Sequence, residues 1–152
     1  MSRLKIIACF FILLSLFGFL DATYLAIEHY RGVVPPCSIV HGCEQVTTSR
    51  YSMIFGVPVA LLGSLYYVTL FILTIAYLDS KKLSLLTVAS YLTFFGFAAS
   101  IWFVYLQWHV IGAWCVYCLG STTTSTLLFV LGVITLRTVP TTWWEKIKAR
   151  WN

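Results

Sequence analysis

From Leu83 to Leu136 the chain carries no Asp, Glu, Lys or Arg. At about 1.5 Å of rise per residue, one helix of that length would far overshoot a bilayer about 30 Å thick. The run must turn back on itself. Its most polar point is Gln107-Trp108-His109-Val110-Ile111-Gly112, with a glycine in place for the turn. A second uncharged run lies between Arg50 and Asp79, and a third, from Ile6 to Ile27, is broken only by Asp21. No small-x-small cleavage pattern follows Leu20, so the first run reads as a retained span rather than a signal peptide. Composition agrees. Hydrophobic residues make up 60% of the chain and charged residues 10%, against about 25% charged in soluble domains. These values exclude a soluble enzyme, a disordered chain and a nucleic-acid binder, and they make membrane lipid the expected solvent.

The pattern predicts an all-α membrane protein, a bundle of four transmembrane helices over about 6–27, 57–78, 83–107 and 112–136. One membrane domain then spans 1–152, with a loop at 28–56 and a tail at 137–152. Basic residues orient it. Arg3, Lys5, Lys81, Lys82, Arg137, Lys146, Lys148 and Arg150 fall on one side, and Arg31 and Arg50 on the other. The positive-inside rule makes the richer side cytoplasmic, so both termini are expected inside and the 28–56 loop outside. Trp108 and Trp114 then sit at the outer interface, and Trp143 and Trp144 at the inner one.

Four of the five cysteines share the outer side. Cys37 and Cys43 lie in the loop, and Cys115-Val116-Tyr117-Cys118 opens the fourth span. The outside of a bacterial plasma membrane and the lumen of the endoplasmic reticulum both support disulfides. Positions i and i+3 share a helix face, so both sulfurs of the second pair can point into the bundle. A helix start favours negative charge, which lowers the thiolate pKa of Cys115, expected to be partly accessible there. Such a dithiol beside a loop dithiol suits thiol–disulfide exchange. Two structural disulfides and a four-cysteine zinc site compete with this reading. The C-x-x-C spacing suits zinc, but C-x5-C in an oxidising compartment does not. Cys9, alone in the first span, is expected to be a buried apolar filler. His29, His41 and His109 have no metal-motif spacing. Asp21 is costly in a span, and a polar contact to the loop is expected for it.

These residues resemble the vitamin K epoxide reductase family, in particular its prokaryotic members. The match rests on Cys37-x5-Cys43, Ser49 six residues on, Gly56-Val57-Pro58 opening the second span, and Cys115-x-x-Cys118 opening the fourth. The resemblance implies a four-helix bundle around a quinone, ubiquinone or menaquinone, with a short helix over the site. It also implies an external thioredoxin-like partner, here a separate DsbA-like protein. By the same resemblance Cys118 faces the quinone and Cys115 exchanges with a loop cysteine, Cys43 ahead of Cys37. Cys37 and Cys43 shuttle electrons from the partner, and Ser49 holds the region through a hydrogen bond within 44–52. The run Leu119-Gly120-Ser121-Thr122 departs from the vertebrate members, which carry a Thr-Thr-Tyr segment there.

Three other functions stay open on the sequence. One is reduction of vitamin K epoxide in the endoplasmic reticulum. Another is a non-catalytic tetraspan scaffold with structural disulfides. The third is a DsbB-type quinone reductase, disfavoured because that type carries its C-x-x-C in the first outer loop.

Overall fold

A computed structural model describes residues 3–37 and 42–139. His41, Trp143, Trp144, Lys146, Lys148 and Arg150 lie outside the described residues. Four helices are long and apolar enough to cross a membrane. They are α1 (Arg3–Arg31), α3 (Val59–Ser80), α4 (Leu83–Tyr105) with its wider last turn Leu106–Ile111, and α5 (Val116–Thr138). Between α1 and α3 come a short helix, α2 (Cys43–Thr47), a 3-10 turn at Arg50–Ser52, and a hairpin of β1 (Met53–Ile54) and β2 (Val57–Pro58). The hairpin is antiparallel, pairing Met53 with Pro58 and Ile54 with Val57.

The third span reaches past Gln107 to Ile111, and the fourth begins at Val116 rather than near 112. The reason is local. Gly112, with φ at 67°, ends the first of these helices, and the Ala113 N–H then bonds back to the Gln107 carbonyl at 3.1 Å. The chain therefore needs three more residues before a new helix can start.

α1 packs along α3 and α5, and α4 along α5 and α3, so α1 and α4 stand on a diagonal of the bundle. The centre is built from Phe11, Tyr67, Leu70, Ala89 and Leu128. Small residues let the helices approach closely, as membrane packing requires. A Cβ on Gly18 would fall 2.5 Å from the Tyr67 ring, and one on Gly132 would fall 2.5 Å from the Thr93 hydroxyl. Buried Ser15, Thr74, Ser90, Thr93 and Thr135 each donate to a carbonyl of their own helix at 2.6–3.1 Å. That satisfies their hydroxyls where water is absent.

The outside of the bundle is apolar: Phe10, Leu13, Phe17 and Leu20 on α1 and Phe95, Ile101 and Trp102 on α4 are exposed. A soluble protein could not present such a surface, and lipid covers it here. Cys9 is exposed on the same surface, not buried as the sequence suggests. In a bilayer the exterior is as apolar as the core, so a small thiol sits on either side. Helix order alone brings both cysteine pairs to one end of the bundle. The loop after α1 and the connection between α4 and α5 both lie there, opposite the tight turn at Lys81–Lys82.

Candidate active site

Cys115 is the residue that caps the start of α5, in extended conformation, and Cys118 sits in the first turn. The main chain of Cys115 is fixed from α4. Its N–H donates to Gln107 Oε1 at 3.0 Å, a buried hydrogen bond. Gln107 is 2% exposed, so this is the acceptor that keeps an otherwise orphaned helix-start amide satisfied. The Cys115 sulfur is stabilised as a thiolate by a hydrogen bond from the Cys118 thiol, and further by the N–H groups of Cys118 and Tyr117. Together these outweigh burial and bring its pKa down to about 7. Local helix-start geometry thus does what the sequence anticipates, with Cys118 as the leading donor.

Accessibility differs from the expectation. Cys115 is fully buried, whereas Cys118 is partly open. The loop that carries the other pair lies against the segment before Cys115. Cys37 and Cys43 form a disulfide with their Cα atoms 6.2 Å apart. Cys43, the first residue of α2, is 1% exposed, and Cys37 is half-buried. Just before Cys43, Gly42 presses on the chain that leads into Cys115. A Cβ there would lie 3.0 Å from Ala113 Cβ and from the nitrogen and oxygen of Trp114. At the other end of the pair, the Tyr117 hydroxyl donates to the Pro36 carbonyl at 3.3 Å. Tyr117 stands between the helix cysteines and Pro36 immediately precedes Cys37. Residues beside each cysteine pair therefore meet the backbone beside the other.

Ser49 organises the segment after α2. Its Oγ donates to the Val46 carbonyl at 2.8 Å. Its own carbonyl accepts from Ser52 N–H at 3.0 Å and Ser52 Oγ at 2.7 Å. These bonds fold α2 and the 3-10 turn into a cap.

Beneath the cap lies a cavity of about 710 Å³ lined by residues of all four long helices. Cys118, Ser49 and Gln107 line it; Cys115 does not. Among the described residues, three buried side-chain oxygens have no hydrogen-bond partner: Asp21 Oδ2, Tyr66 OH and Ser125 Oγ. All three residues line this same cavity. Leaving such a group unpaired costs about 1–3 kcal/mol, so their convergence marks a place built for a polar ligand atom. Gly96 leaves the space that the Tyr66 hydroxyl occupies. The polar contact expected between Asp21 and the loop is not made at Oδ2 among the described residues, and Asp21 lines the cavity instead.

Sequence reasoning passes over Tyr66 and Ser125 and reads Gln107 only as part of a polar turn. Gln107 carries the clearest signal, a strongly polar side chain at the edge of an uncharged run. Tyr66 and Ser125 carry none, since hydroxyl residues are common in packed membrane helices.

No curated protein sequence matches the chain significantly. The profile of the Vitamin K epoxide reductase family, however, matches residues 9–133. That span includes both cysteine pairs, the capping segment and the cavity, and the chain belongs to this family of membrane oxidoreductases.

Proposed function

We propose that the chain accepts electrons from a separate thioredoxin-like (DsbA-like) dithiol outside the cytoplasm and delivers them to a membrane quinone, ubiquinone or menaquinone. This supports disulfide formation in the partner. The observation that carries the reading is the placement of Cys118. It alone of the four cysteines lines the cavity, while Cys115 is sealed under the loop pair.

The cavity fits a quinone. A quinone ring has two oxygens that accept hydrogen bonds, and Tyr66 and Ser125 offer hydroxyl donors without partners. The rest of the lining is largely apolar, with Leu62 and Phe95 on its α3–α4 side. Both are exposed on the lipid face, which gives an isoprenoid tail a path to the bilayer. A quinone bound there supplies an acceptor for two electrons and two protons.

The relay follows from burial. Half-buried Cys37 meets the partner and exchanges with it. Buried Cys43, reduced in that exchange, attacks Cys115 of an oxidised helix pair and frees Cys118 as the leaving thiolate. Cys37 then attacks Cys43, which restores the loop disulfide and leaves Cys115 and Cys118 reduced. A thiol with pKa near 7 is both a good leaving group and a good nucleophile at neutral pH, which suits Cys115 to the exchanging position. Ser49 acts by holding the cap over the cavity. The distribution of basic residues supports cytoplasmic termini, and the plasma membrane is the location that goes with this reading.

The test is quinone reduction with a reduced thioredoxin-like protein as donor. Wild type is expected to turn over, Cys118→Ala to be inactive, and Cys9→Ala to be unaffected. Full turnover by Cys118→Ala would end the reading.

A further inference from the structure

Oxidation of Cys115 and Cys118 to a disulfide releases two electrons and two protons, and reduction of a quinone to a hydroquinone consumes the same. The electrons pass at Cys118. The protons need a carrier in a cavity whose lining is mostly apolar. The titratable side chains lining it are Asp21 and His29 on α1, Arg50 and Tyr51 in the cap, Tyr66 and Tyr67 on α3, and Cys118 on α5. Arg50 does not give up its proton. The Tyr67 hydroxyl is committed to Ser121, donating to its carbonyl at 2.8 Å. His29 lies about 12 Å further along α1 toward the loop, at about 1.5 Å per residue. Asp21 is the one carboxyl in the set. Its Oδ2 is buried without a partner among the described residues, in the cavity that Cys118 also lines. Placing a carboxyl in a membrane helix is expensive, and this one satisfies no structural partner at Oδ2.

We propose that Asp21 is the proton carrier of the quinone site, an inference that rests on the quinone reading above. Its carboxyl takes the proton leaving Cys118 Sγ and holds it at Oδ2 for a ring oxygen. The Cys115 proton leaves by way of the Cys118 sulfur and uses the same carboxyl. Two S–H bonds break, one S–S bond forms, and two O–H bonds form on the ring. Asp21 begins and ends each turnover in the same state.

The test uses the full chain in two arms with a short-chain ubiquinone as probe. In Cys115→Ala/Cys118→Ala, which cannot turn over, quinone binding is followed by infrared difference spectroscopy. A carboxyl band is expected to shift on binding, to vanish when Asp21→Asn is added, and to move to a new frequency with Asp21→Glu. In otherwise wild-type protein, single-turnover oxidation of the helix pair by quinone is expected to slow about 100-fold in Asp21→Asn. Asp21→Glu recovers part of the rate, and exchange between partner and loop is unchanged in both. A wild-type rate in Asp21→Asn, or a band indifferent to both substitutions, overturns the role of Asp21 while the quinone reading stands. Failure of wild type to oxidise its helix pair with quinone removes both.

Discussion

Gly42 and Trp114 touch through their main chains, with room for no Cβ between them: one at position 42 would lie 3.0 Å from both the nitrogen and the oxygen of Trp114. This contact holds the loop against the segment that leads into Cys115. Gly42→Ala must push the loop outward, and overpacking of this kind costs about 1–3 kcal/mol. The expected result is that Cys115, buried in wild type, reacts about tenfold faster with a small alkylating reagent. Quantitative peptide mass spectrometry of the reduced protein reads this out, and an unchanged rate shows that the contact is not the seal.

Gln107→Leu removes the acceptor for the Cys115 N–H. A buried donor left unpaired costs about 1–3 kcal/mol, so the melting temperature in detergent should fall. Gln107→Glu keeps an oxygen at the same place and should fall less. Equal melting of both variants and wild type would show that the bond contributes nothing to stability.

The Cys115 pKa of about 7 fixes a pH dependence. Above that pH the sulfur is a thiolate and reactive, and below it the thiol form predominates. With Cys9, Cys37 and Cys43 replaced by serine, alkylation of Cys115 should rise through pH 7 and level off above it. Because the Cys118 thiol is the leading stabiliser, Cys118→Ala should shift the midpoint upward, toward the ordinary thiol value of about 8.5. A midpoint that does not move assigns the effect to the backbone amides instead.

Cys118→Ser leaves Cys115 without its own partner. Its thiolate is then expected to attack the loop disulfide and accumulate as Cys43–Cys115. Non-reduced peptide mapping distinguishes the outcomes. A dominant Cys37–Cys115 linkage reverses the loop assignment, and no loop-to-helix disulfide removes the relay.

The orientation is checked with an impermeant thiol reagent on intact cells after mild reduction. Cys37 is expected to label, and a cysteine placed at exposed Ser80 is not. The opposite pattern inverts the topology.

Much of the architecture is written in long-range composition. The uncharged run from Leu83 to Leu136 demands a reversal, and the four-span pattern then carries both cysteine pairs to one end. What the sequence conceals is fine registration. The start of α5 is set by a side-chain bond from Gln107, a tertiary contact with no trace in hydropathy. The burial of Cys115 depends on where Gly42 lands, which neither local segment determines alone. Tyr66 and Ser125 look like any packed hydroxyl until rotation of α3 and α5 turns them toward one cavity. Cys9 shows the reverse error. A rule learned from soluble cores sends a lone cysteine inward, and a bilayer removes the reason for it.

The placement of Leu62 and Phe95, cavity-lining yet exposed to lipid, gives the site two doorways that face different phases. The loop disulfide opens to water at the end of the bundle, and the α3–α4 side opens sideways into the membrane. Under the proposed function, a donor that diffuses in three dimensions and an acceptor confined to a sheet need never occupy the protein together, because the cysteines would store the reducing equivalents between visits. Such a device obeys double-displacement kinetics. Its acceptor half-reaction would depend on moles of quinone per mole of lipid, so diluting the suspension with buffer would slow the donor half-reaction alone.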